Sequence, residues 1–342
     1  MQIVRPVVKT TNTLARTVRD VGRLRVVATV LAKHGLGALV AGLDLPGIRA
    51  RRRFETTPAR AAAAIQELGP TYIKLGQILS TRADVIPAPY IAAFESLQDD
   101  VRPLPFASIA EQLAEELGAG WRDKLAEFDE TPLATASIAQ VHRAVTLDGQ
   151  SVVLKVQRPN IEQSIRADLN ILSFLVQRTI AEMPEAEMFD LKGILQEFRR
   201  SILAELDFTA EARNLRRFRA NFADTPHVVL PAVHDELSGR RVLCMDFLDG
   251  TKIRSARARG FDMPLVGERY LDVAYSMLFD HGFFHGDLHP GNVLVLEGDR
   301  IGIIDCGMVG RLSAAMKDNI AALIFALDRG DNRTVARLFF DI

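Results

Sequence analysis

With 342 residues, 48% of them hydrophobic and 25% charged, the chain has the composition of one large or two medium globular domains and not of a disordered or fibrous protein. Two cysteines, Cys244 and Cys306, exclude a disulfide framework and fit a reducing compartment. The formal net charge of −1 hides a polarity, because residues 1–60 hold twelve Lys/Arg against three acidic residues and the remainder is acidic.

The start lacks the charged region, apolar core and small-residue cleavage site of a signal peptide. The best candidate for a membrane span, Val26–Leu43, is broken by Lys33, so no spanning helix is expected. From Thr13 to Ala32, Leu14, Val18, Val21, Leu24 and Leu31 recur at helical spacing, with Arg16, Arg19, Arg23 and Arg25 mostly elsewhere around the helix. Such a helix either packs on the acidic body of the protein or lies on an anionic membrane surface. A basic cluster, Arg49–Arg53, precedes a second helical stretch, Thr57–Thr81, which carries an alanine run and is interrupted by Gly69–Pro70. Four prolines between Pro87 and Pro105 bracket a loop-rich connection before a helix over Phe106–Leu117.

The texture changes near Thr131. Alternating and branched apolar residues around Asp148–Gly149 predict a β-hairpin ending in "VVLKVQRP". Long helical patterns follow at Ile161–Glu182 and Leu191–Phe222, then strands at Val228–Leu230 and Val242–Phe247 and a helix near Leu265–His281. Two short apolar strands, Val293–Leu296 and Ile301–Ile304, are joined by a turn containing "EGD".

The residues around those last strands carry chemistry. "HGDLHPGN" places Asp287 and Asn292 on the loop before the first strand, and Asp305 of "DCG" follows the second. Phosphoryl transfer asks for this set, a carboxylate to orient the acceptor and an Asn plus a second Asp to hold Mg²⁺ on nucleotide phosphates. His281, His285 and His289 would line one face of a continuous helix, but Gly282, Gly286 and Pro290 forbid that helix, so zinc is not expected. Lys155 sits in an apolar strand, where an unpaired ammonium is costly and a phosphate-binding role is natural. "ATASIAQVH" precedes it with alanines where a kinase loop would carry glycines, which stiffens the segment.

Taken together, "KLGQ" (Lys74–Gln77), "ATASIAQVH", "VVLKVQRP", "ELDF" (Glu205–Phe208), "MDFLDG" (Met245–Gly250), "HGDLHPGN" and "DCG" resemble, in order, the motifs of the UbiB/ADCK family of atypical kinases linked to coenzyme Q biosynthesis. The resemblance implies an α+β, bilobal, protein-kinase-like fold whose N-terminal helical extension covers the active site. Expected segments are a basic amphipathic segment (1–60), the helical KxGQ extension (61–130), an N-lobe with helical insertions (131–248) and a truncated C-lobe (249–342). It implies Lys155 on the phosphates of ATP or ADP and paired with Glu211, and Lys74 held by Glu205, with Gln77 and Asp207 in regulatory positions. Ala134, Thr135, Ala136, Ser137, Ile138 and Ala139 would cover the phosphates. Met245, Asp246, Phe247 and Leu248 would form the hinge at the adenine, Asp287 the catalytic position, and Asn292 and Asp305 the magnesium ligands. Asp207 and Glu211, at i and i+4, are expected to share one helix face.

The family usually continues well beyond the span matched here and often ends in hydrophobic helices, which this sequence lacks. Nothing after Asp305 resembles an activation segment with A-P-E, which argues against peptide phosphorylation. The expected function is therefore an ATP-dependent atypical kinase or ATPase supporting ubiquinone biosynthesis, cytoplasmic and peripheral to an inner membrane. Its expected partners are an anionic lipid surface and ubiquinone precursors or biosynthetic proteins, with no nucleic acid. The alternatives are a small-molecule phosphotransferase of the aminoglycoside/choline kinase type and a nucleotide-responsive scaffold of a lipid-biosynthetic complex.

Overall fold

Proline and glycine set the first helix boundaries. In the computed structural model, which describes residues 21–40, 56–97 and 102–341, helix α1 covers 21–33. The expected beginning of that helix at Thr13 and the Arg49–Arg53 cluster lie outside the described residues. Helix α2 (Pro58–Leu68) starts on a Thr57 side chain that accepts from the Arg60 N–H, and Gly69, at φ 95°, separates it from α3 (Pro70–Ser80). Helices α4 (Ala88–Glu95) and α5 (Phe106–Leu117) follow. The first strands are β1 (Leu125–Phe128), β2 (Ala134–Thr135), β3 (Ala139–Thr146) and β4 (Ser151–Gln157). Then come α6 (Ile161–Glu182), α7 (Leu191–Ala204), α8 (Phe208–Asn221), β5 (Val228–Val229) and β6 (Val242–Asp246). Next are β7 (Thr251–Lys252), α9 (Ile253–Ala256) and α10 (Met263–Tyr275), which runs on into a π-helical turn at Ser276–Asp280. The chain continues through β8 (Phe283–His285), β9 (Val293–Leu296), β10 (Arg300–Ile303), β11 (Val309–Arg311), α11 (Ala314–Asp328) and α12 (Asn332–Asp341).

Two compact units share these elements. The first gathers residues 1–112, 132–141 and 156–206, and the second 113–131, 142–155 and 207–342.

In the first unit, Val27, Ala28, Val30 and Leu31 of α1 are buried in one core with Ile165, Leu169 and Leu172 of α6, Phe198 and Ile202 of α7, and Tyr72 of α3. Of the expected stripe, Val21 is 56% exposed, whereas Leu31 is buried in this core and Leu24 packs against it, which agrees with the packed reading of the helix. Arg23 confirms its orientation, donating from Nε to Asp168 at 2.6 Å and from Nη2 to the Leu68 carbonyl at 2.7 Å. The bond to Leu68 caps the C-terminal end of α2, and the one to Asp168 neutralises a carboxylate that is only 2% exposed. Lys33 likewise pairs with Glu67. A smaller cluster of Ala61, Ile73, Phe94 and Leu97 joins α2, α3 and α4. Gly76 permits this approach, since a Cβ there would stand 2.5 Å from Leu97 Cδ1 and 3.2 Å from Ile65 Cδ1.

In the second unit, Leu125, Glu127 and Phe128 of β1 pair antiparallel with Thr146, Val145 and Ala144 of β3. The sheet order is β1-β3-β4-β6, and Gly149, at φ 85°, forms the hairpin turn between β3 and β4. A second sheet has the order β5-β10-β9-β7, with β10 parallel to β5 and antiparallel to β9. A third, two-stranded sheet pairs β8 with β11 antiparallel. Among the described residues, no helix is long and apolar enough to cross a membrane.

One expected element is split. The helix predicted over Leu191–Phe222 breaks at Glu205–Asp207 into α7 and α8. Asp207 is consequently not an interior helical residue. Its carboxylate caps α8, accepting from the Thr209 N–H at 3.0 Å, while Glu211 sits buried in the first turn.

Candidate active site

Strand β4 presents Lys155 to two carboxylates of the second unit. Its Nζ lies 2.9 Å from both Glu211 oxygens and 3.0 Å from Asp305 Oδ2. The Phe208 ring lies 5.3 Å from the same ammonium. Burial alone would lower the Lys155 pKa, but Asp305 and Glu211 outweigh it and hold it above the ordinary value. One ammonium against two carboxylates leaves the cluster one negative charge in excess. Glu211 carries the strain: burial pushes its carboxyl up to about 7, with Lys155 opposing and Asp305 adding to the rise. Burial also pushes Asp305 up, but Lys155 and the Gly307 N–H at 2.9 Å outweigh it and bring the carboxyl down to about 2.

Helix α8 supplies more than Glu211. One turn on, the Asn214 amide donates to the Cys306 carbonyl at 2.9 Å. A further turn on, the Phe218 ring packs 4.6 Å from Phe283 and stacks 6.3 Å from His285. All three side chains lie at the i, i+3, i+7 spacing of one helix face.

The loops bearing Asp287, Asn292 and Asp305 are joined by His285, which sequence reasoning had set aside. This buried imidazole hydrogen-bonds the Asp305 carbonyl through Nε2 and accepts the Asp287 N–H on Nδ1 at 3.0 Å. The Gly286 N–H donates to the Met308 carbonyl at 2.9 Å, extending the β8–β11 pairing. Asn292 donates from Nδ2 to the Asp287 carbonyl at 3.0 Å, and its own carbonyl accepts the Ile304 N–H at 3.1 Å. Each of the three residues is thus fixed through its backbone. The Asp287 side chain is 47% exposed, with His289 Nε2 3.8 Å from its Oδ2.

At the hinge, Met245 is buried at the end of β6. The Asp246 carboxylate accepts from the Ala232 N–H at 2.9 Å and meets His234 Nε2 at 2.8 Å. The Asp246 N–H donates to Ala232 and the Phe247 N–H to Ser151.

The other expected residues belong to the first unit. Lys74 Nζ lies 2.9 Å from Glu205 Oε1, with side chains 20% and 17% exposed. Gln77 is half-buried one turn along α3, its carbonyl accepting from the Ser80 hydroxyl at 2.7 Å. The segment Ala134–Ala139 is a tight hairpin. Ala134 and Thr135 pair with Val141 and Gln140, and the Ala136 N–H donates to the Ala139 carbonyl at 2.8 Å, around a tip at Ser137–Ile138. Two residues that carried no expected role follow Lys155. Gln157 Nε2 donates to the Leu206 carbonyl at 2.6 Å, and Arg158 Nε to the Ala136 carbonyl at 3.0 Å. A side chain bonded to a distant carbonyl leaves no local pattern that could have revealed either one.

This arrangement has relatives. The ABC1 atypical kinase-like domain matches residues 96–339. A "Probable protein kinase UbiB" of Pseudomonas aeruginosa is 36% identical over 314 residues, covering 90% of this chain and 58% of that protein. Its namesake in Vibrio vulnificus is 38% identical over 291 residues, 82% of this chain and 53% of that one. The chain therefore spans little more than half the length of these curated relatives. A Mycobacterium tuberculosis protein solved in complex with erythromycin superposes with a TM-score of 0.61 at 30% identity, covering 80% of this chain and 70% of that one. With a mixed α+β fold and an ABC1 domain match over most of its length, the chain belongs to the UbiB/ADCK family of ABC1 atypical kinase-like proteins.

Proposed function

We propose that this chain binds a magnesium nucleoside triphosphate through Lys155, Asn292 and Asp305 and transfers or hydrolyses its terminal phosphoryl group. The observation that carries this reading is the Lys155–Glu211–Asp305 cluster, in which a lysine and an aspartate are fixed by strand, helix and loop with one negative charge to spare. The donor set fits magnesium, because carboxylate and amide oxygens suit a hard cation. The Asn292 amide nitrogen is turned to Asp287, which leaves its oxygen for a metal. When bound, magnesium would neutralise charge developing on the phosphoryl oxygens.

The chain's own residues supply the rest. Glu211 keeps Lys155 extended toward the α- and β-phosphates. Asp287, exposed and anchored through its N–H, orients the acceptor hydroxyl or a water and takes its proton. His285 sets the spacing between that carboxylate and Asp305. The Asp246 carbonyl and the Leu248 peptide group receive the adenine. The acceptor is a small or lipid-derived molecule rather than a peptide, and the reaction supports ubiquinone biosynthesis at a membrane surface. The support for that last step is the name shared by relatives at 36–38% identity.

Thermal unfolding with and without MgATP tests the site. Wild type should be stabilised in proportion to ligand saturation, and Asp305→Asn should lose the magnesium-dependent part while folding normally. Turnover in that variant should fall on the order of a hundredfold or more. Equal nucleotide stabilisation of the two proteins would remove Asp305 from the metal site. Metabolite analysis of a strain lacking the gene tests the pathway, with lowered ubiquinone expected.

A further inference from the structure

Within the second unit, two guanidiniums converge on one buried ring. Phe283 of β8 is fully buried, and Arg217 Cζ of α8 stands 4.5 Å from its centroid and Arg311 Cζ of β11 5.7 Å. Register explains the second contact. Arg311 is the antiparallel partner of Phe283, and directly paired residues point to the same face of a sheet. The helix explains the first, since Arg217 adjoins Phe218, whose ring packs 4.6 Å from the same Phe283.

A third cation stands beside them. The Lys317 Cδ lies 3.6 Å from the place a Cβ on Gly282 would take, and its ammonium donates to the Phe279 carbonyl at 3.0 Å. Among the described residues, neither arginine forms a hydrogen bond or an ion pair, and no carboxylate pairs with Lys317. Asp280 and Asp318, which follow Phe279 and Lys317 in sequence, are exposed and pair with none of the three cations. Like charges brought to one ring repel, and the ring offsets only part of that repulsion. Both arginines are exposed, so the donors they do not spend on the ring are open to a ligand.

We propose that Arg217 and Arg311 bind a small phosphate-bearing anion on the flank formed by α8 and β11. Guanidinium forks match phosphate oxygens in pairs, and a dianion would balance the two positive charges. The bound anion would staple the helix that carries Glu211 to the strand that follows the loop of Asp305. This binding requires no nucleotide, so it stands apart from the reading of Lys155 given above.

Isothermal titration calorimetry at constant ionic strength tests the site, without nucleotide or Mg²⁺. Inorganic phosphate and glycerol 3-phosphate are titrated into wild type, Arg217→Gln, Arg311→Gln and Arg219→Gln. Arg219, two residues on and on the other side of α8, is an exposed control of equal charge. Either Arg217→Gln or Arg311→Gln should weaken binding about tenfold, the order expected for losing one charged hydrogen-bonding partner. Arg219→Gln should bind as wild type does. Arg217→Lys, which keeps the charge without the planar fork, should fall between wild type and Arg217→Gln. Phosphate should also slow amide exchange over α8 in wild type and not in Arg217→Gln. Tighter binding of inorganic phosphate would identify the free dianion as the ligand, and tighter binding of glycerol 3-phosphate a phosphorylated metabolite. Three results would overturn the proposal. The first is no saturable binding to wild type, which leaves two side chains that only shield a ring. The second is an equal loss in all three glutamine variants, the mark of diffuse attraction. The third is undiminished binding in both Arg217→Gln and Arg311→Gln, which would place the anion elsewhere.

Discussion

Two lysine–glutamate pairs of identical length occupy the two units, and they are not equivalent. Lys155 and Glu211 stand 2.9 Å apart with side chains 13% and 4% exposed, and Asp305 joins them. Lys74 and Glu205 are also 2.9 Å apart but 20% and 17% exposed. Distance alone would rank them equal. Burial and local charge separate them, because a lysine withdrawn from water among two carboxylates cannot be removed without stranding both. The Lys74–Glu205 pair is slightly more exposed and sets Glu205 against its lysine where Lys155 faces two carboxylates, although Glu205 Oε1 is itself out of water.

Removing each lysine is the strongest way to break the comparison. Lys155→Met should lose about 3–5 kcal/mol of stability at pH 8, as expected when a buried ion pair loses one partner. Lys74→Met should lose less than Lys155→Met, because Lys74 Nζ meets Glu205 where Lys155 Nζ meets both Glu211 and Asp305. Urea unfolding of the two variants in the absence of nucleotide measures both, and equal losses would show that the extra burial at Lys155 has no energetic consequence.

A smaller effect sharpens the same contrast through pH. Glu211 has its folded-state pKa raised to about 7 from an ordinary 4.5, so the folded protein holds that proton more tightly than the unfolded chain. Wild-type stability should therefore fall as pH rises between those values, where the unfolded chain has already released the proton. Asp305, lowered to about 2, contributes in the opposite sense, with stability lost only as pH falls below about 4. Glu211→Gln should thus gain on wild type between pH 4.5 and 7 in metal-free buffer. A constant difference between the two proteins over that window would contradict the assignment of strain to Glu211.

The smallest expected signal is chemical. Burial pushes the Cys244 thiol up to about 12, with Asp246 adding to it, and burial also raises Cys306 well above its ordinary value, with Asp305 and Glu211 reinforcing the shift. Neither thiol should react with Ellman's reagent in the native protein at pH 8, and both should react after denaturation. Native reactivity of Cys306 would mean that the loop after Asp305 opens readily.

Much of the fold was legible because periodicity and turn residues mark it. Gly69–Pro70 divides α2 from α3, Gly149 turns β3 into β4, and the strands on either side of "EGD" fall within a residue of their expected limits. The break between α7 and α8 was not legible. "AELDF" contains no glycine or proline, and the apolar rhythm runs through it. What interrupts the helix is long-range: the Gln157 side chain takes the Leu206 carbonyl, and Asp207 turns to cap the next helix. The site divides in the same way. The Lys155–Glu211 and Lys74–Glu205 pairs could be read from motifs. The His285 bridge and the Arg158 bond to Ala136 could not, since they act on backbone groups, which every residue has.

Helix α8 touches the site at three points on one face: Glu211 at the lysine, Asn214 at the carbonyl after Asp305, and Phe218 at the ring of His285. A rigid rod bearing three pins cannot release them one at a time. Because each residue turns the helix by about 100°, slippage by a single position would withdraw all three together. The second unit thus has the mechanics of a tumbler lock. Lys155, the loop after Asp305 and the ring of His285 all meet this one helix, so a shift of α8 would disturb their contacts together.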